Sequence, residues 1–170
     1  MTHRRSSDLV VLGAAIIILA ADQISKHLVR TSLIPGVPYD PVPWLSPVLS
    51  FTYITNTGMS FGLFPQLGSL GALVNIAVIT VLLFSYRRLP VDNWLIHLSL
   101  GMQVGGALGN LVDRLLWRGQ VTDFIDLNFW PLHEWPVFNL ADSSVVVGVV
   151  ILAYFLLFDL EIEAEPNEQA

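Results

Sequence analysis

At 170 residues, with 54% hydrophobic and only 13% charged positions and a mean hydropathy of +0.63, the chain is too apolar for an ordinary soluble domain, and its long apolar runs suit a helical bundle in lipid. The formal net charge of −6 says little about partners, because Asp159, Glu161, Glu163, Glu165 and Glu168 crowd into residues 159–170, a stretch that reads as a solvated, disordered cytoplasmic tail. The absence of cysteine excludes disulfides, thiolate metal sites and a cysteine nucleophile, and the lack of a basic stripe sets a nucleic-acid partner aside.

In chain order, the first apolar run, Leu9 to Ala21, follows Arg4 and Arg5 and is short for a bilayer span unless it continues past Asp22 to Val29. Its basic start and small-residue end also fit a cleaved signal peptide. Three further apolar segments keep the chain in the membrane either way, so a spanning helix over residues 9–29 is the simpler reading. A connection over residues 30–66 follows, with Pro35, Pro38, Pro41, Pro43 and Pro47 and then Leu49 to Thr55, whose β-branched and aromatic content predicts a strand in a small extracytoplasmic β element. A second helix is predicted over 67–85, ending at Tyr86, Arg87 and Arg88, and a tight loop through Pro90 leads to a third over 94–112. A second long connection covers 113–137, and a fourth helix 138–158. The predicted fold class is an all-α membrane protein, four transmembrane helices in one domain over residues 1–158, with both long connections on the same side.

Orientation by positive charge is a tie, with Arg4, Arg5, Arg87 and Arg88 on one side and Lys26, Arg30, Arg114 and Arg118 on the other. Lys26 and Arg114 each have an acid nearby, Asp22 and Asp113, and discounting them as structural partners puts both termini in the cytoplasm. Trp44, Phe51 and Tyr53 from one connection and Trp117, Phe129, Trp130 and Trp135 from the other would then form an aromatic belt at the outer interface. A sheet lying there would anchor the protein, or guide an extended substrate by strand addition.

Ionisable groups near a bilayer are costly, so the acids at the ends of these helices carry the functional question. Asp22 interrupts the first run with Lys26 four residues on, on the same helical face, a spacing that favours a structural ion pair over catalysis. The third helix carries Gly101, Gly105 and Gly109 with Gly106 beside them, a face another helix can approach closely. Beyond it come Asn110 and the adjacent Asp113 and Arg114, where the arginine either neutralises an acid, binds a carbonyl or snorkels to the interface. Asp123, within Val121-Thr122-Asp123-Phe124-Ile125, reads as a solvated loop acid or as half of a pair. Asp142 reads as an acid stabilised by a helix N-terminus or as the other half. If connectivity joins the two, repulsion raises one pKa, a single proton is held between them, and the pair can activate water while protonating a leaving group. Such chemistry needs no cofactor and no metal, in keeping with the lack of a His-Glu-x-x-His run or a Gly-x-Ser-x-Gly elbow. His97 and His133 are isolated in sequence, and no metal site is predicted.

These residues fall in ordered motifs: Asp22-Gln23-Ile24-Ser25-Lys26, Asn56-Thr57-Gly58 with Phe61, Gly105-Gly106-Ala107-Leu108-Gly109-Asn110 with Asp113-Arg114, Val121-Thr122-Asp123-Phe124-Ile125, and Phe138-Asn139-Leu140-Ala141-Asp142. The series resembles that of the lipoprotein signal peptidases, signal peptidase II, over most of the chain from Asp22 to about Val145. The resemblance implies a membrane-embedded aspartic endopeptidase of the bacterial cytoplasmic (inner) membrane, with its active site near the extracytoplasmic face. It would cut the signal peptide of a prolipoprotein just before a cysteine that carries a diacylglyceryl group. It also implies Asp123 and Asp142 as the catalytic dyad, Asn56, Gly58, Asn110, Arg114 and Asn139 as substrate-binding residues, Asp22 and Lys26 as supports, and Asp113 as structural. The implied partners are the diacylglyceryl-modified prolipoprotein and membrane lipid, and the implied state is a monomer. Met59-Ser60 stands where the family usually has two alanines and Val145 where isoleucine is more usual, departures that bear on the shape of the substrate groove and not on the carboxylates. A rival reading, a small transporter or proton relay, would call for internal repeats or broken helices at the midplane, and none is evident. A purely structural subunit would not need both acids together with the motif asparagines.

Overall fold

The computed structural model describes residues 2–57, 68–86 and 93–162. Gly58, Phe61, Arg87, Arg88, Pro90 and residues 163–170 lie outside the described residues. The first apolar run is part of a single helix, α1 (Thr2–Ser32), which passes through Asp22 without a break and stops shortly before Pro35, whose ring disfavours helical backbone at the residue ahead of it. Gly36, at φ +74°, then turns the chain back so that its N–H donates to the Tyr53 carbonyl at 2.9 Å.

That turn starts a three-stranded antiparallel sheet in the order β1 (Pro38–Tyr39), β2 (Leu49–Asn56), β3 (Val121–Leu127). β2 is the strand predicted over Leu49 to Thr55. β3 was not predicted, because an acid in the middle of a short apolar segment looks like a loop until its partner strand is known. The β2–β3 register runs from Leu49 opposite Leu127 to Asn56 opposite Val121, with an irregularity between Phe51 and Ile54, and it sets Asn56 at the end of the sheet where β3 begins. Of the residues expected in an aromatic belt, Trp44, Trp117, Phe129, Trp130 and Trp135 are exposed. Phe51 is not free to join them, because its ring packs against Phe124 at 6.4 Å between centroids.

The remaining helices are α2 (Gly68–Tyr86), α3 (Trp94–Leu116) and α4 (Leu140–Ile162). α3 runs a turn beyond its expected end, carrying Asp113 and Arg114 inside the helix, and α4 continues into what reads in sequence as tail. α3 is the hub of the bundle, packed against α1, α2 and α4. Its glycines serve two neighbours: a Cβ on Gly101 or Gly105 would sit 2.6 or 2.7 Å from the Val11 or Ala15 carbonyl of α1, whereas one on Gly106 would strike the Ala141 carbonyl and Ser144 of α4. α2 is tied in by Asn75 Nδ2, which donates to the Ala107 carbonyl at 3.2 Å.

The distribution of polarity is inverted relative to a protein in water. Asp22, Lys26, Ser99, Gln103, Asp113 and Asn139 are buried, while Leu12, Ile17, Leu73, Phe84, Val150 and Leu157 are exposed. Among the described residues, Ser6–Ser32 and Trp94–Leu116 are long and apolar enough to cross a membrane, and Leu70–Tyr86 and Leu140–Phe155 are shorter apolar helices.

Candidate active site

The site is assembled at the start of α4. Asn139 precedes the first helical residue and its Oδ1 accepts the Asp142 N–H at 2.9 Å, while the Asp142 Oδ2 accepts the Asn139 N–H at 3.3 Å. This reciprocal cap holds the Asp142 carboxyl back over the helix end instead of letting it extend into solvent. The spacing Asn139-Leu140-Ala141-Asp142 was a legible signal for it, although the sequence reading placed Asp142 at a helix N-terminus or in an acid pair without pairing it with Asn139.

Asn139 also reaches the second carboxyl. Its Nδ2 donates to Asp123 Oδ1 at 2.6 Å and to Asn110 Oδ1 at 3.2 Å, and Asn110 Nδ2 donates to Asp142 Oδ1 at 2.7 Å. From the end of β2, Asn56 Nδ2 donates to Asp123 Oδ2 at 2.9 Å. Each oxygen of the two carboxyls thus faces one N–H donor, and the two acids share Asn139 as a common partner. Asp123 is 2% exposed, which excludes a solvated loop acid, and Asp142 is half-buried. Burial, and after it the neighbouring Asp142 charge, pushes the Asp123 carboxyl from its ordinary value of 3.8 up to about 7, against the hydrogen bonds from Asn56 and Asn139. At neutral pH a proton is therefore available on this pair.

Beneath the pair lies a second layer of charges with no exposed surface. Lys26 Nζ stands 2.9 Å from Asp22 Oδ2, 3.4 Å from Asp113 Oδ2 and 2.9 Å from Asn110 Oδ1. The free oxygens of the two acids hold backbone next to the upper carboxyls: Asp22 Oδ1 accepts the Ala141 N–H at 3.0 Å, and Asp113 Oδ2 accepts the Thr122 N–H at 2.9 Å. Arg30 reinforces the second link, with Nη1 at 3.3 Å from Asp113 Oδ1 and donating to Thr122 Oγ1 at 2.9 Å, while its guanidinium lies 4.9 Å from the Trp117 ring centre.

Asp123, Asp142, Asn56, Asn110 and Asn139 are thus brought into one hydrogen-bonded cluster, with Asp22, Lys26 and Asp113 directly under it. Arg114 lies beside it, buried, with Asp142, Asp123 and Asp113 within electrostatic reach. Room for that side chain comes from Gly71 at the start of α2, where a Cβ would stand 2.5 Å from Arg114 Nε. Gly58 lies outside the described residues. Sequence reasoning missed Arg30, Thr122, Gln23 and Gly71. Gln23, whose Nε2 donates to Asp22 Oδ2 at 3.1 Å and Asp113 Oδ1 at 3.3 Å, could have been suspected from its place between Asp22 and Lys26, whereas nothing local marks Gly71. His97 and His133 stand apart, the first against the Tyr86 ring and the second beside Glu134. Two acids sharing donors, one of them protonated near neutral pH, can act together as general base and general acid on water and a polarised carbonyl.

Comparison with known proteins gives the same direction from an independent source. The family model for Signal peptidase (SPase) II matches residues 14–158. The lipoprotein signal peptidase of Moorella thermoacetica is 43% identical over 143 residues, covering 84% of this chain and 89% of that protein. That of Teredinibacter turnerae is 36% identical over 154 residues, covering 88% of each. A solved bacterial membrane enzyme superposes with a TM-score of 0.82 at 27% identity, over 97% of this chain and 94% of its own.

Proposed function

The chain belongs to the signal peptidase II family, and from that premise we propose that it is a membrane-embedded aspartic endopeptidase that removes the signal peptide from prolipoproteins. The observation that carries the aspartic chemistry is the shared hydrogen bonding of Asp123 and Asp142 through Asn139.

In this reading the ionised member of the dyad takes a proton from water as the water oxygen attacks the scissile carbonyl, and the protonated member gives its proton to the carbonyl oxygen. Collapse of the tetrahedral intermediate then returns a proton to the leaving amine, which is the N-terminus of the diacylglyceryl-modified cysteine. Asn56, Asn110, Arg114 and Asn139 line the site and position the peptide backbone, and the motif residue Gly58 is a further substrate-binding residue by resemblance to the family. The substrate is tethered in the same bilayer, so a site at the outer end of the bundle meets the scissile bond without a charged pair at the membrane centre. All four helices span the bacterial cytoplasmic membrane, both termini face the cytoplasm, and the protein works as a monomer on a lipid-embedded substrate.

The test is cleavage of a diacylglyceryl-modified prolipoprotein by purified wild type, Asp123→Asn and Asp142→Asn, with circular dichroism to verify folding. Each folded variant is expected to lose at least about 1,000-fold in kcat, since each removes one of two groups that act as a unit. Retained cleavage in either variant overturns the dyad, and an inactive wild type moves the protein to the transporter reading.

A further inference from the structure

Lys26 is fully buried, touches neither dyad carboxyl among the contacts described, and is nevertheless joined to both by short chains of hydrogen bonds. The informative link is the one to Asn110. An amide has a donor end and an acceptor end, whereas an ammonium has only donors. With Lys26 Nζ at 2.9 Å, Asn110 must present Oδ1 downward, which leaves Nδ2 pointing up at Asp142 Oδ1 at 2.7 Å. The same Oδ1 accepts from Asn139 Nδ2 at 3.2 Å, which adds to the cap from the Asp142 N–H to Asn139 Oδ1 in holding the Asn139 amide with its donor end toward Asp123. Reversal of the Asn110 amide would set two donors against each other below and an oxygen against a carboxylate above.

We infer that Lys26 is a positioning residue for the dyad, acting through Asn110 to fix the direction in which the Asn110 amide donates to Asp142 and to present its oxygen to the Asn139 amide that donates to Asp123. The inference rests on the dyad reading above. It differs from a purely structural ion pair, which would hold α1 against α3 without affecting the chemical step. The groups facing Lys26 and the dyad from the surrounding elements are Asp22 and Arg30 of α1, Asp113 and Arg114 of α3, Asp123 of β3 and Asp142 of α4.

The experiment is a mutant cycle read as kcat and KM for a diacylglyceryl-modified prolipoprotein. Lys26→Met leaves two buried acids against one arginine and can fail to fold. Lys26→Met/Asp22→Asn restores the balance, leaving Asp113 with Arg30 and an amide oxygen for the Ala141 N–H. The folded double variant is expected to lose about 10- to 100-fold in kcat, as partners that orient a reacting group do, with KM within about two-fold. Adding Asn110→Ala to that background should cost no more than about two-fold, although Asn110→Ala alone in the wild-type background costs about 10- to 100-fold. Wild-type kcat in the double variant, a change confined to KM, or losses that multiply independently would overturn the inference. Asp123→Asn serves as the control in the same assay. If it still cleaves, the dyad reading itself falls. If it is dead while Lys26→Met/Asp22→Asn cleaves at the wild-type rate, only the role of Lys26 falls.

Discussion

Asp123 departs far from what its residue type would do in water. A carboxyl held at about 7 retains a proton that the unfolded chain releases near 3.8. In that window the folded state binds more protons than the unfolded state, so stability falls as pH rises from about 4 to about 7 and is flat above it. Asp123→Asn abolishes this dependence. The Tm of the variant should therefore change less than that of wild type between pH 5 and pH 8, measured by thermal denaturation in detergent. The wild-type kcat should fall on the alkaline side with an apparent pKa near 7, as the proton shared with Asp142 is lost. A rate that keeps rising above pH 8 would contradict the assignment. The identities of both acids were readable in the chain, but the sequence left each with a plausible inert role, and burial at 2% exposure is what removes that role for Asp123.

Among the elements, α3 and α4 decide whether the site exists, because Asn110 and Asp142 stand on different helices and meet only if the two backbones approach closely. Gly106 allows that approach. Gly106→Leu should push α4 away from α3 at the level of Ala141, lower Tm by the equivalent of about 1–3 kcal/mol, and reduce kcat through displacement of Asp142. Gly13→Leu is the matched control, since nothing lies within 4 Å of a Cβ at that position, and it should change neither quantity. Equal effects of the two substitutions would show that helix propensity, not close packing, is being measured. The glycine stripe was visible in sequence as a packing face, but its division between α1 and α4 was not, because adjacent residues on a helix point about 100° apart and the partners depend on the bundle. β3 was likewise hidden: its strand character depends on pairing with β2, many residues away in the chain.

For the whole molecule, the arrangement of a polar interior within an apolar exterior suits a lipid solvent, and the sheet, Asp123, Asp142 and the exposed Trp44, Trp117, Trp130 and Trp135 belong to the end of the bundle where α1 and α3 finish and α4 begins, whereas the exposed Trp94 starts α3 at the other end. The absence of native cysteine makes this directly testable. Trp44→Cys and Trp130→Cys, introduced singly into otherwise intact protein in cells, should react with a membrane-impermeant thiol reagent added from outside, whereas a cysteine replacing Ser6 should react only after the membrane is permeabilised. Labelling of the Ser6 position alone from outside would reverse the topology. The tie in positive charges left orientation undecided by counting, and Lys26 shows why: it lies buried between Asp22 and Asp113, so it is no topology signal at all.

By itself the sequence determined the membrane class, the helical runs, the β2 strand and the ordered motifs, because hydrophobic periodicity and local residue chemistry are properties of neighbours along the chain. It also supplied the candidate acids and asparagines. Only the tertiary structure decided that Asn139 joins Asp123 to Asp142, that Asp22 and Asp113 each hold backbone beside one of those acids, that Arg30 and Gly71 contribute, and that Lys26 reaches the cluster through Asn110. These are contacts between residues far apart in the chain, whose directions depend on helix approach and strand register, and no periodicity encodes them.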